Sequence, residues 1–275
     1  MLLVAALLRG DNTIRDSREH RHNRAADLAS LGAGALLLSI FLGFHGVGRN
    51  FPVTIAITAA FAIAGRIARG VSASGMLAGA VIAFILASRD LRAFAALLIV
   101  FLLTLAATRI GGRRKQQLQV SESHSGRSAS QVMANLSLAG LILALPDFHS
   151  CYLLALAALA EAAADTVSSE IGSAFPGKTV LITTWKNVTP GTDGGVSAAG
   201  TLAAVLAAAT VAGASLLLGL ASASQAVMIA GAGVFGMLAD SVLGAALERR
   251  GYLNNDLVNL LGTASAVGLA ALTLI

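Results

Sequence analysis

Three carboxylates stand inside stretches that are otherwise apolar. Glu161 and Asp165 close the sixth apolar run, in Ala160-Glu161-Ala162-Ala163-Ala164-Asp165-Thr166, and Asp240 interrupts the eighth, in Leu238-Ala239-Asp240-Ser241-Val242. Glu161 and Asp165 are four apart and so share one face of a helix. Asp240 precedes Leu247 by seven residues, which places it on the order of 10 Å inside the helix end at ~1.5 Å per residue. Ionisable groups within apolar spans are costly and are usually functional. Two helices that each deliver an Asp to the same depth suit Mg²⁺, a hard ion that takes a few carboxylates and leaves its other positions to phosphate and water. Glu170 and Asp256 extend this candidate metal set. Pairing with Arg, or helix capping, is the competing explanation and weighs most on Glu161.

The connection after the sixth run carries a second kind of chemistry. It contains Lys178, Lys186 and the stretch Thr189-Pro190-Gly191-Thr192-Asp193-Gly194-Gly195-Val196-Ser197, followed by a long apolar helix. Glycine-rich backbone and a helix N-terminus present N–H groups to anions. Lys178, Lys186, Gly191, Thr192, Asp193, Gly194, Gly195 and Ser197 are therefore candidates for holding phosphate. The competing explanation is an ordinary loop with a Ser or Asp cap. Gly172-Ser173-Ala174-Phe175-Pro176-Gly177-Lys178-Thr179 also fits the spacing G-x-x-x-x-G-K-[ST]. A true P-loop follows a strand and opens a helix, whereas this one follows an apolar helix and precedes an extended stretch, so the match is set aside.

Two further clusters belong to the same end of the chain's helices. Arg127, Gln131 and Asn135 recur every four residues, on one helical face. Asn255 and Asn259 are one turn apart at the start of the last apolar run, with Asp256 beside them. Capping explains an Asn at that start but not the whole cluster. The Arg-rich Gly111–Lys115 stretch reads as a positive-inside anchor. The five histidines show no metal-ligand spacing, and the single cysteine, Cys151, permits no intrachain disulfide.

The elements that must position these residues are set by composition. Of 275 residues, 56% are hydrophobic and only 12% are charged, against about 25% charged in a soluble domain. Aromatics are 5%, so Ala, Leu, Val and Ile carry the apolar bulk, which suits a helical bundle rather than an alternating outer-membrane barrel. Nine apolar spans follow one another: Leu28–His45, Phe51–Ile67, Gly75–Ser88, Leu91–Ile110, Ser128–Leu145, Cys151–Asp165, Val196–Leu220, Gln225–Leu247 and Leu257–Ile275. Sixteen of the nineteen Lys and Arg fall in alternate connections, and only Arg49, Arg89 and Arg92 fall on the other side. That alternation predicts an all-α polytopic bundle with the N-terminus cytoplasmic and the C-terminus outside. It also accounts for the +5 net charge without any nucleic-acid partner. Residues 1–27 read as a charged cytoplasmic arm and 28–275 as one transmembrane domain. The apolar Met1–Leu8 lacks a basic n-region and a small-residue cleavage site, so it does not read as a signal peptide. The long polar connections Gly111–Arg127 and Thr166–Gly195 are both on the cytoplasmic side, which puts the chemistry there.

At these residues the sequence resembles the integral-membrane family that includes plant phytyl-phosphate kinase. The blocks that carry the resemblance are Gly126–Asn135, Ala164–Gly172, Leu181–Gly200, Gly236–Gly244 and Asn255–Asn259, and the likeness runs from about Gly75 onward. In outline it is also similar to the dolichol and phytol kinases and the CDP-diacylglycerol synthases. The resemblance implies Mg²⁺ on Asp165 and Asp240, with nucleotide phosphates held by Lys186 and the Gly191–Gly195 loop. It implies a multi-pass protein of the cell inner membrane that transfers phosphoryl from CTP or ATP to a prenyl monophosphate whose tail enters from the bilayer. In that reading Arg127, Lys178 and Lys186 neutralise phosphate. Two other classes remain open at this stage. Intramembrane Asp and Asn also suit a transporter or lipid flippase, and a lipid cytidylyltransferase would need similar parts. A CDP-alcohol phosphotransferase fits less well, since no D-G-x-x-A-R run with paired aspartates is present.

Overall fold

A computed structural model describes residues 2–48, 50–118, 126–147, 150–175 and 177–274, with only the backbone for residues 2–23. Arg49, Gln119, His124, His149 and Pro176 lie outside the described residues. The chain is a bundle of α1 (Leu2–His45), α2 (Phe51–Ile67), α3 (Ala73–Arg89), α4 (Leu91–Arg109), α5 (Gly112–Gln117), α6 (Ala129–Ala144), α7 (Cys151–Ala174), α8 (Ala198–Leu217), α9 (Ala223–Ala246) and α10 (Asn255–Leu272). Between α7 and α8, β1 (Thr179–Leu181) and β2 (Gly195–Ser197) pair antiparallel, with Val180 opposite Val196. This small sheet departs from a purely helical expectation. The Walker-like match is resolved by chain order: Gly172 to Ala174 end a helix, and Thr179 begins a strand, the reverse of a P-loop.

Six helical stretches are long and apolar enough to cross a membrane; α2, α3 and α6 are apolar but have 17, 17 and 16 residues. All nine expected apolar segments form helices, with two differences at the ends. The backbone of residues 2–27, expected as a separate arm, continues into the first span as one helix. α7 runs nine residues past Asp165: no proline interrupts residues 166–174, and Thr166 and Glu170 find side-chain partners in Arg127, Lys115 and Thr108.

The helices start where their caps say they should. Ser128 accepts from the Gln131 backbone N–H while the Gln131 side chain accepts from the Ser128 N–H, and Ser222 and Gln225 repeat this box at the start of α9. Such reciprocal caps satisfy two otherwise orphaned donors. Asp27 then ties three helices together: its Oδ2 accepts from Ser74 Oγ at 2.6 Å and its Oδ1 from the Ser130 N–H at 3.2 Å.

The two ends of the bundle differ in chemistry. At one end, Arg127 N–H donates to the Gly70 carbonyl, Arg109 to the Ala68 carbonyl and Arg114 to the Ser173 carbonyl. At the other, Arg89 donates to Asp147 and lies 3.0 Å from His45 Nδ1, while Arg92 reaches the Gly219 carbonyl at 3.4 Å. The hydrogen bond from Arg89 holds the Asp147 carboxyl below the usual carboxylate range. The connections that the charge count separates into two groups therefore meet at two separate ends. α7 runs through the middle, packed against α4, α6, α8, α9 and α10. Its Ala-rich stretch keeps those neighbours close, as small residues do in membrane bundles.

Candidate functional site

Glu161, on the middle of α7, is fully buried. Two glycines make room for it. A side chain at Gly236 on α9 would come within 2.5 Å of Glu161 Cγ, and one at Gly262 on α10 within 2.8 Å of Glu161 Oε1. Thr263 Oγ lies 2.8 Å from Glu161 Oε2, and Oε1 has no hydrogen-bond partner. One turn nearer the basic end, Asp165 on α7 and Asp240 on α9 line the same cavity. Two carboxyl groups that share a buried site repel unless a proton or a cation lies between them.

A side-chain network extends from this pair. The Asn259 amide is oriented by its neighbours: its oxygen accepts from Asn135 Nδ2 at 3.1 Å, and its nitrogen donates to Asp240 Oδ2 at 3.2 Å and to the Asn255 carbonyl at 3.3 Å. Asn135 Nδ2 also donates to the Gln131 carbonyl at 2.9 Å, whereas its Oδ1 is buried without a hydrogen-bond partner. Arg127 donates to Thr166 Oγ at 3.0 Å and its charge acts on Asp165. Its backbone is fixed by the Gly70–Ser72 segment, so the guanidinium starts from a rigid position.

These groups line one cavity of about 280 Å³, together with Gly191 to Gly195 and Ser197. The loop is pinned over α9 at Gly194, where φ is +71° and a side chain would come within 2.4 Å of Ala245 and 2.5 Å of the Ser241 carbonyl. Only glycine allows both the left-handed backbone and that approach. The loop is less of an anion nest than its composition suggests. The Thr192 and Gly195 N–H groups are engaged by the loop's own Thr189 and Thr192 carbonyls, at 3.2 and 2.7 Å.

The structure thus brings together Arg127, Asn135, Asp165, Glu170, Asp240, Asn255 and Asn259 with the Gly191–Gly195 loop and Ser197. It does not bring Lys178, Lys186 or Asp256 with them. Both lysines are exposed on the connection around β1, and Asp256 stands on the first turn of α10, outside the cavity lining. Glu170 lines the cavity, but its oxygens are already engaged: Lys115 Nζ donates to Oε2 at 2.5 Å and Thr108 Oγ to Oε1 at 3.1 Å. Lys115, which reads as part of a surface anchor in the sequence, is instead buried and also donates to the Ala107 and Thr108 carbonyls. Glu248 is a lining residue that the sequence reading passed over. The spacing Asp240, Gly244, Glu248, four residues at a time, carried the signal.

The cavity is strongly acidic. Asp165, Glu170, Asp193, Asp240 and Glu248 line it, and Arg127 is the one Lys or Arg among its described lining residues. A phosphate ligand would enter such a field only with a cation. Among the described residues no three His, Cys, Asp or Glu side chains form a ready metal cage. The donor set instead fits Mg²⁺, which is commonly held by one or two carboxylates plus substrate phosphates.

Residues 56–267 match the family model described as integral membrane protein DUF92, and the chain belongs to that family. It is 37% identical over 169 residues to the membrane protein MJ0933 of Methanocaldococcus jannaschii, covering 61% of this chain and 70% of that protein. It is 34% identical over 212 residues to Protein VTE6, chloroplastic, of Arabidopsis thaliana, covering 70% of this chain and 62% of that protein, which is less than two thirds of the relative's length. Protein PGR of the same plant is 32% identical over 208 residues, covering 65% of this chain and 72% of that protein. No solved structure matches the chain.

Lys115→Met leaves the Glu170 carboxylate buried without its cation. Thermal unfolding in detergent should show a loss of about 3–5 kcal/mol, as for other broken buried pairs. The double variant Lys115→Met/Glu170→Gln should recover most of that loss; no recovery would mean that the pair is not the source of the effect.

Proposed function

We propose that the chain is a membrane-embedded phosphotransferase that moves the terminal phosphoryl group of CTP or ATP onto a prenyl monophosphate such as phytyl phosphate. The observation that carries the reading is that Asp165 and Asp240, delivered by two separate helices, line one polar cavity that also presents Arg127. Family membership and the resemblance to a group that includes a phytyl-phosphate kinase support the same class of chemistry.

In the reaction an acceptor phosphate oxygen bonds to the terminal phosphorus as the bond to the bridging oxygen breaks, releasing the nucleoside diphosphate. The acceptor is already an anion, so the chain need supply no strong base. Its task is positioning and charge compensation. Asp165 and Asp240 would hold Mg²⁺, which when bound neutralises charge on the nucleotide phosphates. Arg127, fixed through its backbone and Thr166, offers the guanidinium that pairs with phosphate oxygens. Asn259 holds Asp240 and is itself oriented by Asn135 Nδ2 and the Asn255 carbonyl, and the three asparagines would offer amides to the ligand. The Gly191–Gly195 loop and Ser197 close the cavity and keep water from competing as acceptor. We assign phosphate neutralisation to Arg127 rather than to Lys178 or Lys186, because neither lysine lines the cavity.

In this reading the nine apolar helices all cross the inner membrane, with the N-terminus and the cavity cytoplasmic. A reporter fused after the last residue should read as periplasmic, and one inserted at Gln119 as cytoplasmic. Both on one side would contradict the nine-span arrangement.

The catalytic reading is tested with purified protein, [γ-³²P]CTP or ATP and phytyl monophosphate. Asp165→Asn and Asp240→Asn should each lower the transfer rate by about 10²- to 10³-fold, the size of losing one preorganised electrostatic partner. Membrane insertion should be retained, since each change removes a charge and keeps the size. Lys186→Ala should leave the rate close to that of the unaltered protein. Full activity in both Asp variants would show the pair to be structural.

A further inference from the structure

A second cavity, of about 490 Å³, lies among α2, α3, α4 and α6, a volume within the ~300–1,000 Å³ usual for small-ligand sites. Its interior is apolar: Phe61, Leu97, Val100, Phe101, Leu105 and Leu136 line it. Its lining turns cationic at the basic end of the bundle, with Arg69, Arg109 and Arg127; Lys115 also lines it, paired with Glu170. An apolar interior beneath arginines matches an anionic amphiphile. Arg127, Gln131 and Asn135 line this cavity and the polar one alike. The two spaces therefore share one wall, and the buried, unpartnered Asn135 Oδ1 belongs to that wall.

The two cavities are also built from matching parts. Gly70-Val71-Ser72-Ala73-Ser74-Gly75 opens α3, and Gly195-Val196-Ser197-Ala198-Ala199-Gly200 opens α8. Ser72 caps Gly75 N–H at 3.1 Å as Ser197 caps Gly200 N–H at 3.2 Å. Gln131 and Asn135 on α6 have the spacing of Asn255 and Asn259 on α10. Thr104, Leu105 and Thr108 on α4 have the spacing of Asp240, Ser241 and Gly244 on α9. Where the polar cavity has Asp240, the other has Thr104. The carboxylate that would attract a cation is missing from one copy, and the surrounding side chains there are aliphatic and aromatic.

We propose that the apolar cavity seats the isoprenoid tail of a long-chain monophosphate, and that Arg127 holds the phosphate at the common wall, facing the polar cavity. The identity of the ligand rests on the phosphotransferase reading; the location and depth of the tail site rest on the cavity itself. Gly79 lines this cavity, and a side chain added there would have Val132 as its nearest neighbour, at 4.0 Å. A Cβ there therefore meets no backbone, and the atoms beyond it would take up space within the cavity.

The test measures binding of geranylgeranyl (C20) and geranyl (C10) monophosphate to purified protein in nanodiscs, without nucleotide. The unaltered protein should prefer the longer chain, and Gly79→Leu should lower that preference by at least about ten-fold, the scale of overpacking an apolar site. Gly213→Leu on α8, where nothing lies within 4 Å of the added Cβ, should keep it. As a measurement on the unaltered protein, a C20 monophosphate with a diazirine at the tail end should label peptides of α2 and α4. Binding of neither monophosphate, an unchanged preference in Gly79→Leu, or labelling confined to α8 and α9 would overturn the proposal. Loss of the preference with no nucleotide turnover in any protein would keep the tail site and remove the phosphotransferase reading.

Discussion

Asp165 on α7 and Asp240 on α9 face one polar cavity inside an apolar bundle, and much of the surrounding architecture serves to hold them there. Two carboxyls sharing one cavity would push apart or draw in water if the helices could separate. They are prevented from separating below the pair, where Gly236 and Gly262 bring α9 and α10 onto the Glu161 side chain. They are prevented again above it, where Gly194 seats the connecting loop on α9. Asn259 fixes Asp240 from the side. An arrangement that costs this much in packing and desolvation is maintained in membrane proteins where ions or charged substrates are handled.

The ion pairs divide the labour. Lys115 and Glu170 stand between the apolar cavity and the acidic one and neutralise each other, and Arg127 is the one Lys or Arg among the described residues lining the acidic cavity. Asp27 anchors α1 to the caps of α3 and α6, which sets the position of the Arg127–Asn135 face. At the opposite end Arg89, His45 and Asp147 hold the short connections together, far from the acidic pair. The polar chemistry is thus gathered at the basic end of the bundle.

Much of this was legible in the chain itself. Hydropathy located every long helix, because an apolar run in lipid must satisfy its backbone internally. Asp165 and Asp240 announced themselves as charges in apolar surroundings, and the four-residue spacing of Arg127, Gln131 and Asn135 placed them on one face. Other features depend on contacts that spacing does not encode. Lys115 sits among arginines that suggest a surface anchor, yet it folds back to Glu170, 55 residues away. Lys178 and Lys186 are close in sequence to the glycine loop, but both are exposed, while the loop lines the cavity. The continuation of α7 beyond Asp165 was hidden because Ser168, Ser169 and Glu170 look like loop residues until their partners are known.

The central claim is that Asp165 and Asp240 together hold a divalent cation against nucleotide phosphate. Mn²⁺ substituted for Mg²⁺ makes this directly observable by electron paramagnetic resonance with ³¹P ENDOR on the purified protein and CTP. The account predicts a bound Mn²⁺ coupled to phosphorus, lost when both residues are changed to Asn. An unaltered signal in that double variant, or no protein-bound Mn²⁺ with CTP or with ATP, would contradict it.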